Sequence, residues 1–229
     1  MITGRFVARP NRFITLVEVD GKIVRSHLPD PGRLQELLVP GAELLLRPRP
    51  EGSARKTDYS TVMVRHAGQL VSLVSALPNR FVRESLLAGE LPMLQGYSLL
   101  KPEITVGRHR FDFLLTDPDQ RPFYLEVKSV TFVENGVARF PDAVSERGSR
   151  HAGALKELTE NGDVGTGVLF VCQRSDAREF RPMWDRDPKF GRAIAEAHEA
   201  GVKVWCITVK VTVNEMTFFQ EIPVNLSSY

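Results

Sequence analysis

The most constraining feature of this sequence lies at its centre. Arg110-Phe-Asp-Phe-Leu-Leu-Thr116 and Tyr124-Leu-Glu-Val-Lys128 both alternate apolar with polar residues. Period-two alternation is the signature of a strand with one buried face. It sends Phe111, Phe113, Leu125 and Val127 into a core, and Arg110, Asp112, Glu126 and Lys128 to a solvated face. The linking Asp117-Pro-Asp-Gln-Arg-Pro122 is turn-forming. A hairpin symmetric about Asp119 sets Asp112 opposite Glu126 and Arg110 opposite Lys128. Opposed side chains stand about 4.5–5.5 Å apart at Cβ, and like charges there destabilise a sheet. Two carboxylates so placed call for a cation between them. A divalent metal is the simplest, and a metal beside a lysine is equipment for phosphodiester cleavage.

The rest of the chain sets the frame for that hairpin. Its 229 residues suffice for one large domain or two small ones. A net charge of +2 does not mark a nucleic-acid binder but leaves room for local basic patches. No apolar run approaches the ~20 residues needed to span a bilayer, and the N-terminal segment lacks the apolar core of a signal peptide. Cys172 and Cys206 sit far apart in apolar, strand-like runs, which fits buried reduced thiols and neither a disulfide framework nor a zinc site. A cytoplasmic protein without a membrane partner is expected.

Residues 1–78 read as a small β domain. Phe6–Arg9, Phe13–Val19, Lys22–His27, Ala42–Arg47, Ser60–His66 and Leu70–Val74 are strand candidates, with Val19-Asp-Gly-Lys22 as a hairpin turn and a helical turn at Arg33–Leu38. Short strands with one small helix suggest an OB-like barrel. Arg47, Arg49, Arg55 and Lys56 fall in a Pro/Gly-rich stretch, suited to following a phosphate backbone or to serving as a solubilising loop. From Asn79 the pattern changes to mixed α and β, so residues 79–229 form a second domain. Asn79 is an expected N-cap for a helix ending near Gly89. The central hairpin and a further strand, Gly136–Phe140, follow as three antiparallel-type strands. Then come a helix over Ser145–Glu160, a strand at Gly167–Gln173, a helix opened by Asp187-Pro188, and strands at Val202–Val211 and Met216–Glu221. The fold class is α/β (α+β), an α/β sandwich behind a barrel.

Other residues can join the hairpin's chemistry. Glu84, in the helix before it, and Glu103, in the lead-in to its first strand, are candidate further oxygen ligands, although for Glu84 taken alone a solvated helix-face role is the more natural one. Arg139 and Asp142 flank Phe140-Pro141, where a strand gives way to a turn. Arg147 and His151 share a helix face at i,i+4 and can hold a phosphate, although a lone histidine more often has a structural role. No Ser/His/Asp arrangement, dinucleotide fingerprint or phosphate-cradling glycine loop is present.

Three blocks carry a family resemblance: Gly107-Arg-His-Arg-Phe-Asp-Phe-Leu-Leu115, Leu125-Glu-Val-Lys-Ser-Val130 and Phe140-Pro-Asp-Ala-Val-Ser-Glu-Arg-Gly-Ser-Arg-His151. With Ser26-His-Leu-Pro-Asp-Pro-Gly-Arg33 and Ala76-Leu-Pro-Asn-Arg80, they resemble the sugar fermentation stimulation protein A family over essentially the whole chain. The resemblance implies an OB-like domain joined to a PD-(D/E)XK nuclease-like domain, whose motif falls on Asp112, Glu126 and Lys128. The acidic residue here follows Phe111 rather than a proline. The resemblance further implies DNA binding without sequence specificity and a link to sugar (maltose) metabolism. The expected protein is thus a DNA binder with a phosphodiesterase site using Mg²⁺ or Mn²⁺. Asp112 and Glu126 would hold the metal, Lys128 would stabilise developing charge, and Arg110, Arg139, Arg147 and His151 would hold the backbone. The alternatives are a non-catalytic DNA-binding regulator on the same fold and a binder of a small phosphorylated ligand.

Overall fold

The structure, a computed structural model, describes residues 1–50, 52 and 56–228. It separates into two compact units, Met1–Ala76 with Val211–Glu215 and Leu77–Lys210 with Met216–Tyr229. In the first unit, β1 (Ile2–Asn11), β2 (Ile14–Val19), β3 (Lys22–His27), β4 (Glu43–Pro48), β5 (Tyr59–His66) and β6 (Gln69–Ser72) form one sheet, in the order β3-β2-β1-β4-β5-β6. A parallel pairing of β3 with β5, at Ser26↔Tyr59 and His27↔Ser60, closes that sheet into a barrel. The β2–β3 hairpin turns at Asp20 and Gly21, both with positive φ, which matches the right-handed strand twist. The expected helix at Arg33–Leu38 is a single turn in which the Leu34 carbonyl accepts from the amides of Leu37 and Leu38. It drops Leu34 and Leu37 into a core with Val17, Leu44, Leu46, Val64 and Val71.

The second unit opens with α1 (Leu77–Ala88), followed by β7 (Ser98–Val106), β8 (His109–Thr116) and β9 (Pro122–Val130). Next come β10 (Val133–Glu134), β11 (Val137–Phe140), α2 (Glu146–Asn161), β12 (Gly165–Cys172) and β13 (Glu179–Pro182). The chain closes with α3 (Pro188–Glu199), β14 (Lys203–Val211) and β15 (Met216–Ile222). The main sheet runs β15-β14-β12-β9-β8-β7, parallel across β9, β12 and β14 and antiparallel across β7, β8 and β9. The helices start where side chains cap them: Ser145 Oγ accepts from Gly148 N, and Asp187 Oδ1 from Phe190 N, with Pro188 in the first turn of α3.

Two expectations need correction. The Gly136–Phe140 strand does not extend the hairpin's sheet; β11 joins a small separate sheet, β10-β11-β13. The third antiparallel strand is instead β7, unmarked in the sequence because Pro102 and Glu103 interrupt it. An edge strand tolerates a proline, since one side of its backbone needs no ladder partner.

The polar face of the hairpin is also not wet at Glu126 and Lys128, although Arg110 stays exposed. In the parallel β9–β12 ladder, Glu126 neighbours Val168 and Lys128 neighbours Phe170. Side chains adjacent across a ladder share a face, and Val168 and Phe170 belong to the core that packs Ala152, Ala154 and Leu155 of α2. Charged and apolar residues therefore share one covered face. Cys172 and Cys206 are buried free thiols there, and burial pushes Cys172 up to about 12, which keeps it protonated.

Candidate active site

The β8–β9 register runs Phe113↔Leu125, Leu114↔Tyr124, Leu115↔Phe123 and Thr116↔Pro122, symmetric about Asp119. Pairing ends at Phe113, one step short of Asp112 and Glu126. Beyond that point the strands are joined through a side chain: Asp112 Oδ2 accepts from the Val127 amide at 2.8 Å. Asp112 Oδ1 accepts from Asn79 Nδ2 at 2.5 Å. α1 begins at Leu77, so Asn79 lies inside its first turn, and its side chain serves Asp112 rather than capping the helix.

Glu126 is only 3% exposed. Its Oε1 accepts from Lys128 Nζ and from His151 Nδ1, the latter at 2.7 Å, with the imidazole proton assigned to Nδ1. Its Oε2 is buried and has no hydrogen-bond partner among the described residues. Burial pushes the Asp112 carboxyl up to about 6, and the Glu126 charge adds to the rise. Burial acts on Glu126 in the same sense. Its hydrogen bond from His151 and the Lys128 charge outweigh that, and the Glu126 carboxyl lies below its ordinary range. One carboxyl of the pair thus resists ionisation while the other is held charged.

On the surface beside His151, a cavity of about 510 Å³ is lined by Arg108, His109, Arg110, Arg147, Arg150 and His151. Arg110 reaches Glu103 at 3.9 Å and Arg150 reaches Glu146 at 3.7 Å, both exposed and loose pairs. Arg108 and Arg147 make no ion pair among the described residues. Burial, and then the His151 charge, hold His109 below the usual histidine range.

The structure thus brings Asp112, Glu126 and Lys128 together and adds Asn79 and His151. It moves His151 out of its expected role: at 6% exposed and bonded to Glu126, it is a carboxylate partner rather than a free phosphate ligand. Arg110 and Arg147 line the basic cavity. Glu84 is not part of the cluster, being an exposed residue paired with Arg80 one helical turn away. Glu103 sits on β7 with its carboxylate exposed and directed to Arg110. Arg139 lies in β11, half-buried and 3.8 Å from Glu134. In the first unit Arg47 and Lys56 are exposed, Arg49 pairs with Asp58 at 3.6 Å, and Arg55 lies outside the described residues. Sequence reasoning missed Arg108 and Arg150. The signal for Arg150 was available, since Arg147, Arg150 and His151 at i, i+3 and i+4 share a helix face.

The donor set suits a hard divalent cation. Among the described residues no group of three His, Cys, Asp or Glu side chains is arranged as a metal cage. Mg²⁺ does not require one, since it keeps several waters and takes one or two carboxylates. An orphaned Glu126 oxygen beside a carboxyl that resists ionisation meets that requirement.

Fold and site together define a two-domain protein: a small closed barrel, then a sheet-rich α/β domain holding a carboxylate–lysine–histidine cluster. Residues 7–73 match the family model for the SfsA N-terminal OB domain, and residues 76–215 that for the sugar fermentation stimulation protein RE domain. The chain belongs to the SfsA family. It is 40% identical over 221 residues to a sugar fermentation stimulation protein homolog of Clostridium botulinum, covering 96% of this chain and 95% of that one. A homolog from Moorella thermoacetica is 43% identical over 205 residues, covering 90% and 88%. Among solved structures, that of Pyrococcus furiosus SfsA in complex with Ca²⁺ aligns with a TM-score of 0.87 at 28% identity, over 97% of this chain and 95% of that one.

Proposed function

We propose that this chain binds DNA through its phosphates, without sequence specificity, and cleaves phosphodiester bonds with a divalent ion, Mg²⁺ or Mn²⁺. The observation that carries the reading is the buried, unpartnered Glu126 Oε2 beside Asp112. Asp112 and Glu126 would hold the ion. When bound, it supplies Lewis acidity toward a phosphoryl oxygen and lowers the pKa of a coordinated water. The remaining work falls to the chain's own groups. The Val127 amide and Asn79 orient Asp112. His151 and Lys128 hold Glu126 Oε1, which directs its second oxygen away from them. Lys128, a compact ammonium on a flexible stem, can turn from Glu126 to an anionic phosphate. Arg108, Arg110, Arg147 and Arg150 bind flanking phosphates in the basic cavity. That a relative was solved with Ca²⁺ supports a divalent ion as a ligand of the family.

One observation favours the non-catalytic alternative, a DNA-binding regulator linked to sugar metabolism. Lys128 and His151 both engage Glu126, so part of the cluster is satisfied without a metal.

A cleavage assay on plasmid, linear and single-stranded DNA with Mg²⁺ or Mn²⁺ decides between them. Wild type should cut, whereas Asp112→Asn and Lys128→Ala should bind without cutting. Binding in every condition with no cleavage by wild type would leave the regulator reading standing. No binding to any DNA at low salt would end the nucleic-acid reading altogether.

A further inference from the structure

The basic cavity shares a wall with a second cavity of different chemistry. Arg108 and His109 line both. The second cavity, about 450 Å³, has a floor of Phe111, Tyr124 and Leu158, with the carboxylate of Glu157 and the amide of Asn161 at its rim. Its volume is typical of a small-molecule site. Phe111 is buried, while Tyr124 and His109 are half-buried and offer ring surface toward the space. Neither Glu157 nor Asn161 makes a side-chain hydrogen bond or ion pair among the described residues.

From this juxtaposition we infer that the second cavity is a nucleobase pocket, receiving the base of one unstacked nucleotide whose phosphates lie among Arg108, Arg110, Arg147 and Arg150. The inference rests on the nucleic-acid reading above and names which part of the polymer is held. An aromatic and aliphatic floor suits the faces of a heterocycle, because every base presents a π-face for stacking. A carboxylate and an amide at the rim suit its edge: Glu accepts from an exocyclic amino group, and Asn can both donate and accept. The spatial order matches a nucleotide as well, with Arg110, Arg147 and Arg150 on one side of the wall that Arg108 shares and an apolar floor on the other. A base paired within a duplex could not enter a cavity lying between β8, β9 and α2. A single strand, an end or an extruded nucleotide could.

The test compares two probes on the full-length protein at low salt without divalent ions: deoxyadenosine 5′-monophosphate and 2-deoxyribose 5-phosphate. Wild type should bind the nucleotide about tenfold more tightly, the contribution of one stacked base. Leu158→Trp, which fills the cavity, should abolish that advantage while leaving sugar-phosphate binding unchanged. Arg150→Ala should weaken both probes. Should Leu158→Trp fail to fold, Asn161→Trp at the exposed rim gives the same readout. Equal affinities in wild type, or an advantage that survives filling, would overturn the pocket. If either result accompanies salt-dependent binding of long DNA, the pocket fails and the nucleic-acid reading stands. If long DNA does not bind either, the nucleic-acid reading fails first and the pocket with it.

Discussion

Asp112→Asn should make the metal-free second domain more stable at neutral and alkaline pH, although it removes a side chain at the centre of the site. Its carboxyl is raised from 3.8 to about 6 by burial and by Glu126. Between those values the folded chain holds a proton that the unfolded chain has lost, so stability falls as pH rises through the window. Above about 6 the whole penalty stands; below 3.8 both states are protonated and it vanishes. At about 1.4 kcal/mol per pH unit, the rise is worth about 3 kcal/mol. Asparagine carries no charge at any pH. It keeps an oxygen for the Val127 amide, but its new amino group faces Asn79 Nδ2, which must turn its own amide. That rearrangement costs about 1 kcal/mol at every pH. The variant should therefore be slightly less stable than wild type in acid, and more stable by about 2 kcal/mol above neutrality.

Urea unfolding in EDTA, followed by tryptophan fluorescence from about pH 4 to about pH 8, measures this difference. Trp184 and Trp205, the chain's two tryptophans, both lie in the second unit, so the signal is silent on the barrel. A stability difference between variant and wild type that stays constant across the range would refute the claim that Asp112 is held against ionisation.

Four further outcomes are expected. His151→Phe removes the donor to Glu126 and keeps a ring against Phe111, and should lower Mn²⁺ affinity about 10–100-fold by calorimetry while the fold is retained. Removing Arg147 and Arg150 together should flatten the plot of log binding constant against log salt by about 0.9 per lost phosphate contact on duplex DNA, with no change in sequence preference. Divalent-ion affinity should drop as pH falls below about 6, close to tenfold per pH unit in a titration, because the ion must displace the Asp112 proton. In α3, a Cβ at Gly191 would meet the Trp184 ring at 2.6–2.8 Å, so Gly191→Ala should cost about 1–3 kcal/mol in urea unfolding, despite alanine's helical preference.

What local sequence encodes and what it does not is clearest around the hairpin. Its register follows from alternation and a turn of defined length, and the pairs from Phe113↔Leu125 to Thr116↔Pro122 obey it. The starts of α2 and α3 follow from Ser145 and Asp187-Pro188, since capping is a contact between near neighbours. The destination of β11 is not local. Val137–Phe140 reads as a strand, but its parallel partner Glu179–Pro182 lies some forty residues on, and only the assembled fold selects it. Likewise, alternation marks Glu126 and Lys128 as the polar side of β9 without saying what will cover that side. α2 covers it, presenting Gly148, Ser149, His151 and Ala152 as its buried stripe. Small residues in that stripe permit close approach, and His151 lies within hydrogen-bonding distance of Glu126. In the sequence alone, the same histidine is as available to a phosphate as to a structural contact. Asn79 misled for a related reason: Asn is a good cap, and nothing local reveals that an aspartate thirty-three residues away competes for its amide.

Covering the site changes its chemistry. On an exposed hairpin, two facing carboxylates would be screened by water and need nothing more than a few ions nearby. With Glu126 buried under α2 and Asp112 half-buried against Asn79 of α1, they occupy a region of lower effective dielectric, where a second negative charge is far more costly and each cation counts for more. The fold meets this unevenly. It commits Lys128 and His151 to a single oxygen of Glu126, which keeps that carboxylate charged, and it leaves Asp112 with neutral donors only. The consequence is a site in which the charge on Asp112 is costly, and is relieved by a proton below about pH 6 or by a bound cation above it. A structural ion pair would place Lys128 between the two carboxylates and satisfy both. Here the lysine bonds only one of them, and the oxygen facing away from it, Glu126 Oε2, is left without a hydrogen-bond partner among the described residues. That asymmetry suits a site that exchanges a proton for an ion.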